Sequence, residues 1–177
     1  MASPDEVTAW FTGDEPRNDD EARFLDRIRT RAVDWEVPGL DPSASWCLAR
    51  LACLLVVVPS PSLAGLDGLH SIQVGYYPAG KLLRLEGEWG EDHLLDNGGD
   101  ERDLRVEGVE AEPEWFADLS ADWIGQQFLR PLERREWLDG SRVVAAQTRL
   151  GDTGFVLSRS GSWFKSRKEP DQAVRLN

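Results

Sequence analysis

Between Pro113 and Pro131 the apolar residues Phe116, Leu119, Trp123 and Phe128 recur at gaps of three to five, with Ile124 beside them. This is helical spacing with a wide apolar stripe. Pro113 suits a first helical turn, Glu112 and Glu114 favour the positive end of the helix dipole, and Pro131 disfavours helical geometry at Arg130. The pattern predicts a helix over about 113–129. The rhythm then becomes strand-like. Two runs are joined by Asp139-Gly140, a pair that readily supplies the positive φ angles of a two-residue hairpin turn. A second turn is expected at Gly151-Asp152-Thr153-Gly154. A tight first turn puts Trp137, Val144, Ala146, Thr148, Leu150, Phe155 and Leu157 on one face, the core side under the helix. Arg134, Glu136, Val143, Gln147, Arg149 and Ser158 then fall on the other face.

Upstream, Ser3-Pro4-Asp5-Glu6 is a helix start, and a short helix to about Phe11 is expected. Asp19-Asp20-Glu21 opens a longer helix with Phe24, Leu25, Ile28, Ala32 and Trp35 on its apolar side, closed by Pro38-Gly39. Trp46, Leu48, Leu51, Leu54 and Leu55 suit a third helix, whereas Val56-Val57-Val58 favours a strand. The reading taken is a helix that ends before the valines. Residues 71–77 and 81–88 form a hairpin about Pro78-Ala79-Gly80, 90–102 a loop, and 104–109 a further strand. The fold class expected is α+β: N-terminal helices plus a mostly antiparallel sheet, with the 113–129 helix packed on a C-terminal three-stranded meander. A single domain over 1–160 is expected, followed by a polar, basic tail over 161–177 with a disordered end.

The block from Ala121 to Leu157, with RPLERREW, the hairpin and GDTGFVL, resembles the C-terminal block of small uncharacterised α+β proteins of actinobacteria. It covers about a fifth of the chain. The resemblance implies a compact α+β domain and carries no activity with it.

Charge sharpens the picture. The net charge of −12 is unevenly spread. Residues 1–41 carry 11 acids and 5 bases, and residues 86–122 carry 14 acids and 2 bases, while the segments between and after are net basic. Such a surface argues against nucleic acid, whose phosphates need cations, and suits a basic protein partner. There is no cationic, apolar N-terminal segment, and the longest apolar run, Leu51 to Val58, is too short to span a bilayer. A cytoplasmic protein without a membrane role is expected. Cys47 and Cys53 are read as buried free thiols.

The search for chemistry returns little. His70 and His93 have no metal-type spacing, and there is no nucleophile elbow, P-loop or GxGxxG. No catalytic residue, metal ligand or cofactor is assigned. Asp152-Thr153-Gly154 is one copy of a motif that acid proteases need twice, and it reads as a turn. The candidate partner-binding residues are the acidic stretch Glu88, Trp89, Glu91, Asp92, Asp96, Asp100, Glu101 and Asp103, with Trp89 as an anchor. Arg134, Glu136 and Arg149 form a secondary candidate face. The expected function is an acidic protein-binding module, an immunity-type inhibitor that occludes a basic partner such as a toxin. The alternatives are a regulatory or scaffolding domain, or an enzyme whose carboxylates converge only in the fold.

Overall fold

The architecture was obtained from a computed structural model, which describes residues 4–50, 52–66, 70–91, 95, 99–161 and 169–177. It is an α+β fold. Helix α1 (Pro4–Thr8) leads into the two-residue strand β1 (Thr12–Gly13) and then helix α2 (Asp19–Ala32). The Asn18 side chain caps α2 by accepting from the Glu21 amide at 2.9 Å, which satisfies one of the unpaired amides of a helix start. Strands β2 (Trp46–Ala49), β3 (Leu54–Pro59), β4 (His70–Tyr76), β5 (Leu83–Glu91) and β6 (Leu104–Glu107) follow. With β1 they form a six-stranded sheet in sequence order, antiparallel except for the β1–β2 pair.

Helix α3 (Pro113–Phe128) matches the expected span and lies beside α2 on one face of that sheet. The core is built between these layers. Phe24 of α2 stacks on Tyr76 of β4 at 4.5 Å. Leu25, Ile28, Phe116, Ala117 and Ile124 meet Leu54, Val56, Val58, Ile72, Val74 and Leu85. The second sheet, in order β10-β7-β8-β9, comprises β7 (Leu132–Asp139), β8 (Arg142–Leu150), β9 (Val156–Gly161) and β10 (Gln172–Arg175). It joins the same core through Leu132 and Leu150, with Phe155, Leu157 and Leu176 packed alongside.

Three expectations are corrected. The helix expected from Trp46 up to the valines is instead part of the hairpin β2–β3. Leu54 to Val58 are all buried, and a strand covered on both faces reads as a continuous apolar run in which helical spacing occurs by chance. The expected tail contributes β10, which pairs with β7 from Gln172↔Glu136 to Arg175↔Glu133. Residues 162–168, with Trp163-Phe164, lie outside the described residues.

The third correction concerns the faces of the second sheet. The turn is Gly140-Ser141, closed by Asp139↔Arg142, with Gly140 at φ 63°. Leu138 pairs with Val143, but Trp137 then pairs with Ala145, so Val144 is an extra residue in β8. A one-residue bulge exchanges the faces of everything beyond it. Arg134 and Glu136 therefore share a face with Thr148 and Ala146, while Trp137 sits opposite Ala145 on the reverse side.

Candidate functional site

Among the described residues, two of the concavities that carry charge bear on the expected function. The first is a concavity of about 240 Å³ beside β5, lined by Glu86, Gly87, Glu88, Asp100, Asp103 and Arg105 among others. β6 pairs with β5 only as far as Gly87↔Leu104, so beyond that point residues 99–103 flank β5 instead of a strand. The Asp100 amide donates to Asp103 Oδ2 at 3.0 Å, closing this turn. Burial, reinforced by the charges of Asp100 and Glu88, pushes the Asp103 carboxyl up to about 6.

Arg130, just past α3, anchors this region from behind. Its guanidinium is 4% exposed and pairs with the Asp100 carboxylate. It donates to Asp152 Oδ2 at 3.0 Å through Nε and to Asp152 Oδ1 at 2.9 Å through Nη2. It also reaches Gln127 Oε1 at 2.9 Å, the atom that accepts from Trp89 Nε1 at 3.0 Å. Asp100 Oδ1 is buried and has no hydrogen-bond partner among the described residues. Burial works to raise the Asp152 carboxyl, and the Arg130 guanidinium more than offsets it, holding Asp152 below its ordinary value. The Asp152-Thr153-Gly154 turn is thus a seat for a buried arginine.

Among the described residues of the expected partner-binding stretch, three are interior. Glu88 is 1% exposed, Trp89 3% and Asp100 6%. Trp89 lies in the core opposite Ile72 and cannot anchor a partner without unfolding β5. Asp103 is half-buried, and Glu101 is the exposed acid of the group. Asp92, Asp96 and the side chain of Glu91 lie outside the described residues. The secondary face also separates. Arg134 Nε pairs with Glu136 at 2.7 Å on one side, while Arg149 lies on the other side and meets Glu133, itself paired with Arg135.

The second region is a groove of about 480 Å³ between α1 and the segment that follows α2. Asp5, Glu6, Ala9, Trp10, Val33, Trp35, Leu40 and Pro42 line it. Trp10 and Trp35 meet edge to face at 5.2 Å, and the Trp35 Nε1 donates to the Ala121 carbonyl at 3.2 Å. The bend that sets Trp10 in place is at Phe11, whose φ is 50°. The Phe11 amide donates to Ser45 Oγ at 2.8 Å, and Arg29 holds the carbonyls of Trp10 and Phe11, each at 2.9 Å. Sequence reasoning missed this groove. Its signal was the N-terminal acidity together with two tryptophans 25 positions apart, brought together only by the Phe11 bend.

Over residues 1–41 the charges are sorted. All five arginines of residues 1–41 have their guanidinium on an acceptor of this chain. Arg17 pairs with Glu21, and Arg29 takes the two carbonyls just described. Arg23 reaches Glu112 and Glu114 at 2.6 and 2.8 Å, Arg27 reaches Asp118 at 2.8 Å, and Arg31 reaches Asp118 and Asp122 at 2.8 and 2.5 Å. Asp5, Glu15, Asp19, Asp34, Glu36 and Asp41 are meanwhile exposed. No helix among the described residues is long and apolar enough to cross a membrane. No family model, curated protein or solved structure matches the chain.

Proposed function

We propose that this protein is an acidic binding module of the cytoplasm that recognises a basic partner protein and blocks it by occlusion, in the manner of an immunity protein covering a toxin. The observation that carries this reading is the sorting of charge in the N-terminal third. Its arginines are consumed internally, mostly in tying α2 to α3, and all of its acids except Asp20 and Glu21 are exposed. An outward field of one sign accelerates encounter with a cationic surface and fixes its orientation. Cys47 and Cys53 are buried and unbridged, which suits a reducing compartment. The docking residues in this reading differ from those expected at 88–103: they are the exposed acids Asp5, Glu15, Asp34 and Glu36.

The test is capture from the source cells at about 50 mM and about 500 mM salt, where exposed charge pairs are weakly and strongly screened. The expected result is a basic protein that is retained at low salt, released at high salt, and lost when Asp5, Glu15, Asp34 and Glu36 are changed to Lys. Glu101→Lys should leave capture intact. Salt-independent capture, or capture indifferent to the four reversals, would sink the reading.

A second reading, acid–base catalysis, is favoured by one observation: Asp103 is held near 6 beside Glu86, Glu88 and Asp100. A carboxyl poised close to neutrality is what proton transfer uses. Titration of Asp103 by carbon NMR at an ordinary value near 4 would remove that support.

A further inference from the structure

The groove between α1 and the segment after α2 has the chemistry of a side-chain receptor. Its floor and walls are aromatic and aliphatic, from Trp10, Val33, Trp35 and Leu40, and two carboxylates, Asp5 and Glu6, stand at its rim. Its volume of about 480 Å³ falls in the range of small-ligand sites. Both indoles are fixed. Trp10 is 4% exposed, and Trp35 is held by its bond to the Ala121 carbonyl. At Trp35 the groove thus offers ring surface rather than an open hydrogen-bond donor. An apolar ligand would gain from the walls and waste the acids, and an anion would be repelled by the rim. A long side chain with an apolar stem and a cationic head matches both parts. Of the two candidates, arginine fits better, because its planar guanidinium stacks on an indole and binds carboxylates in a fork.

We propose that this groove receives an arginine side chain of the basic partner, with its stem along Val33 and Leu40, its guanidinium on the Trp35 ring and its donors on Asp5 and Glu6. The proposal rests on the basic-partner reading and supplies its anchor. The surrounding acids draw the partner in, and the groove fixes the register.

The test uses the blocked pentapeptide acetyl-Gly-Gly-Arg-Gly-Gly-amide and its citrulline counterpart, which keeps the shape and removes the charge. The readout is the indole N–H resonances of Trp10 and Trp35. The expected result is a saturable shift of the Trp35 signal at millimolar arginine peptide, with affinity about tenfold lower for citrulline. A similar loss is expected in the Asp5→Asn/Glu6→Gln variant, whose substitutions are at exposed positions and leave the core untouched. Equal shifts with both peptides, or no saturable shift, would overturn the arginine site. If that happened while the Glu15, Asp34 and Glu36 reversals still abolished partner capture, the groove alone would be refuted. If capture were indifferent to those reversals as well, the basic-partner reading would fall with it.

Discussion

The α2–α3 seam and the concavity beside β5 each gather four carboxylates, and the two settings treat them in opposite ways. In the seam, Arg23 holds Glu114 below the usual carboxylate range, and Arg27 and Arg31 do the same for Asp118. In the concavity, burial and the neighbouring acids push Asp103 up to about 6. Both stretches belong to the most acidic part of the sequence. What separates Glu114 and Asp118 from Asp103 is an arginine on the carboxylate itself: Arg130 pairs with Asp100, and among the described residues no arginine pairs with Asp103. Local charge therefore predicts little about the state of a carboxylate until the fold has assigned its partner.

The sharpest way to test this contrast is to remove Arg130, the cation behind the concavity. Arg130→Met should cost about 3–5 kcal/mol in urea unfolding, because it leaves the Asp100 carboxylate buried without compensation and Asp152 with only the exposed Arg102. Adding Asp100→Asn and Asp152→Asn should recover most of the loss, and a single variant as stable as the parent would show that the network is dispensable. In the seam the effect is expected to be smaller, since the Arg27 and Arg31 side chains are 39% and 30% exposed. The double variant Arg27→Ala/Arg31→Ala should lose about 1–2 kcal/mol at low salt, and less at about 0.5 M salt. A loss indifferent to salt would point to packing rather than charge.

The smallest expected effect is a slope. Asp103 titrates at about 6 in the folded chain against an ordinary 3.8. Between those values the folded state holds the extra proton, so this group's contribution to stability falls as pH rises through the window. The lowered carboxylates Glu114 and Asp118 behave in the reverse sense: their contribution is present above their unfolded values and is lost as pH falls through the folded ones. Asp103→Asn should flatten the melting-temperature profile between about pH 4 and 6 and leave the acid limb below it unchanged. An unchanged upper slope would mean that Asp103 is not displaced.

Much of the architecture was legible in the chain because local signals agreed with the fold. The Asp19-Asp20-Glu21 start of α2, the Pro113 start of α3 and the turns at Pro78-Ala79-Gly80 and Gly151–Gly154 are each marked by residues that do one thing well. The failures share a different cause. Val144 is an ordinary β residue, and nothing in its neighbourhood marks it as the bulge that exchanges two faces. Glu86 and Glu88 alternate as solvent-facing residues should, yet residues 99–103 fold back beside them. The Leu95 side chain also lies so close to Gly75 that a side chain there would require it to shift. Trp89 looked available because its neighbours are acids, although its partner, Gln127, is 38 positions away. Long-range closure decided each of these, and no window of sequence contains it.

The ties that join α2 to α3 span 87 to 91 positions of chain, and this separation bears on how the molecule is made. During synthesis, α2 emerges with its arginines and its Phe24, Leu25 and Ile28 face long before Glu112, Asp118 and Phe116 exist to meet them. The six-stranded sheet is likewise complete by Glu107, yet it waits for the second helix of its covering layer. For that interval the nascent protein displays half of its core to the cell, the state in which chains attract chaperones and aggregate. A ribosome that pauses before Pro113 would prolong that exposure, and one that reads quickly through to Phe128 would end it.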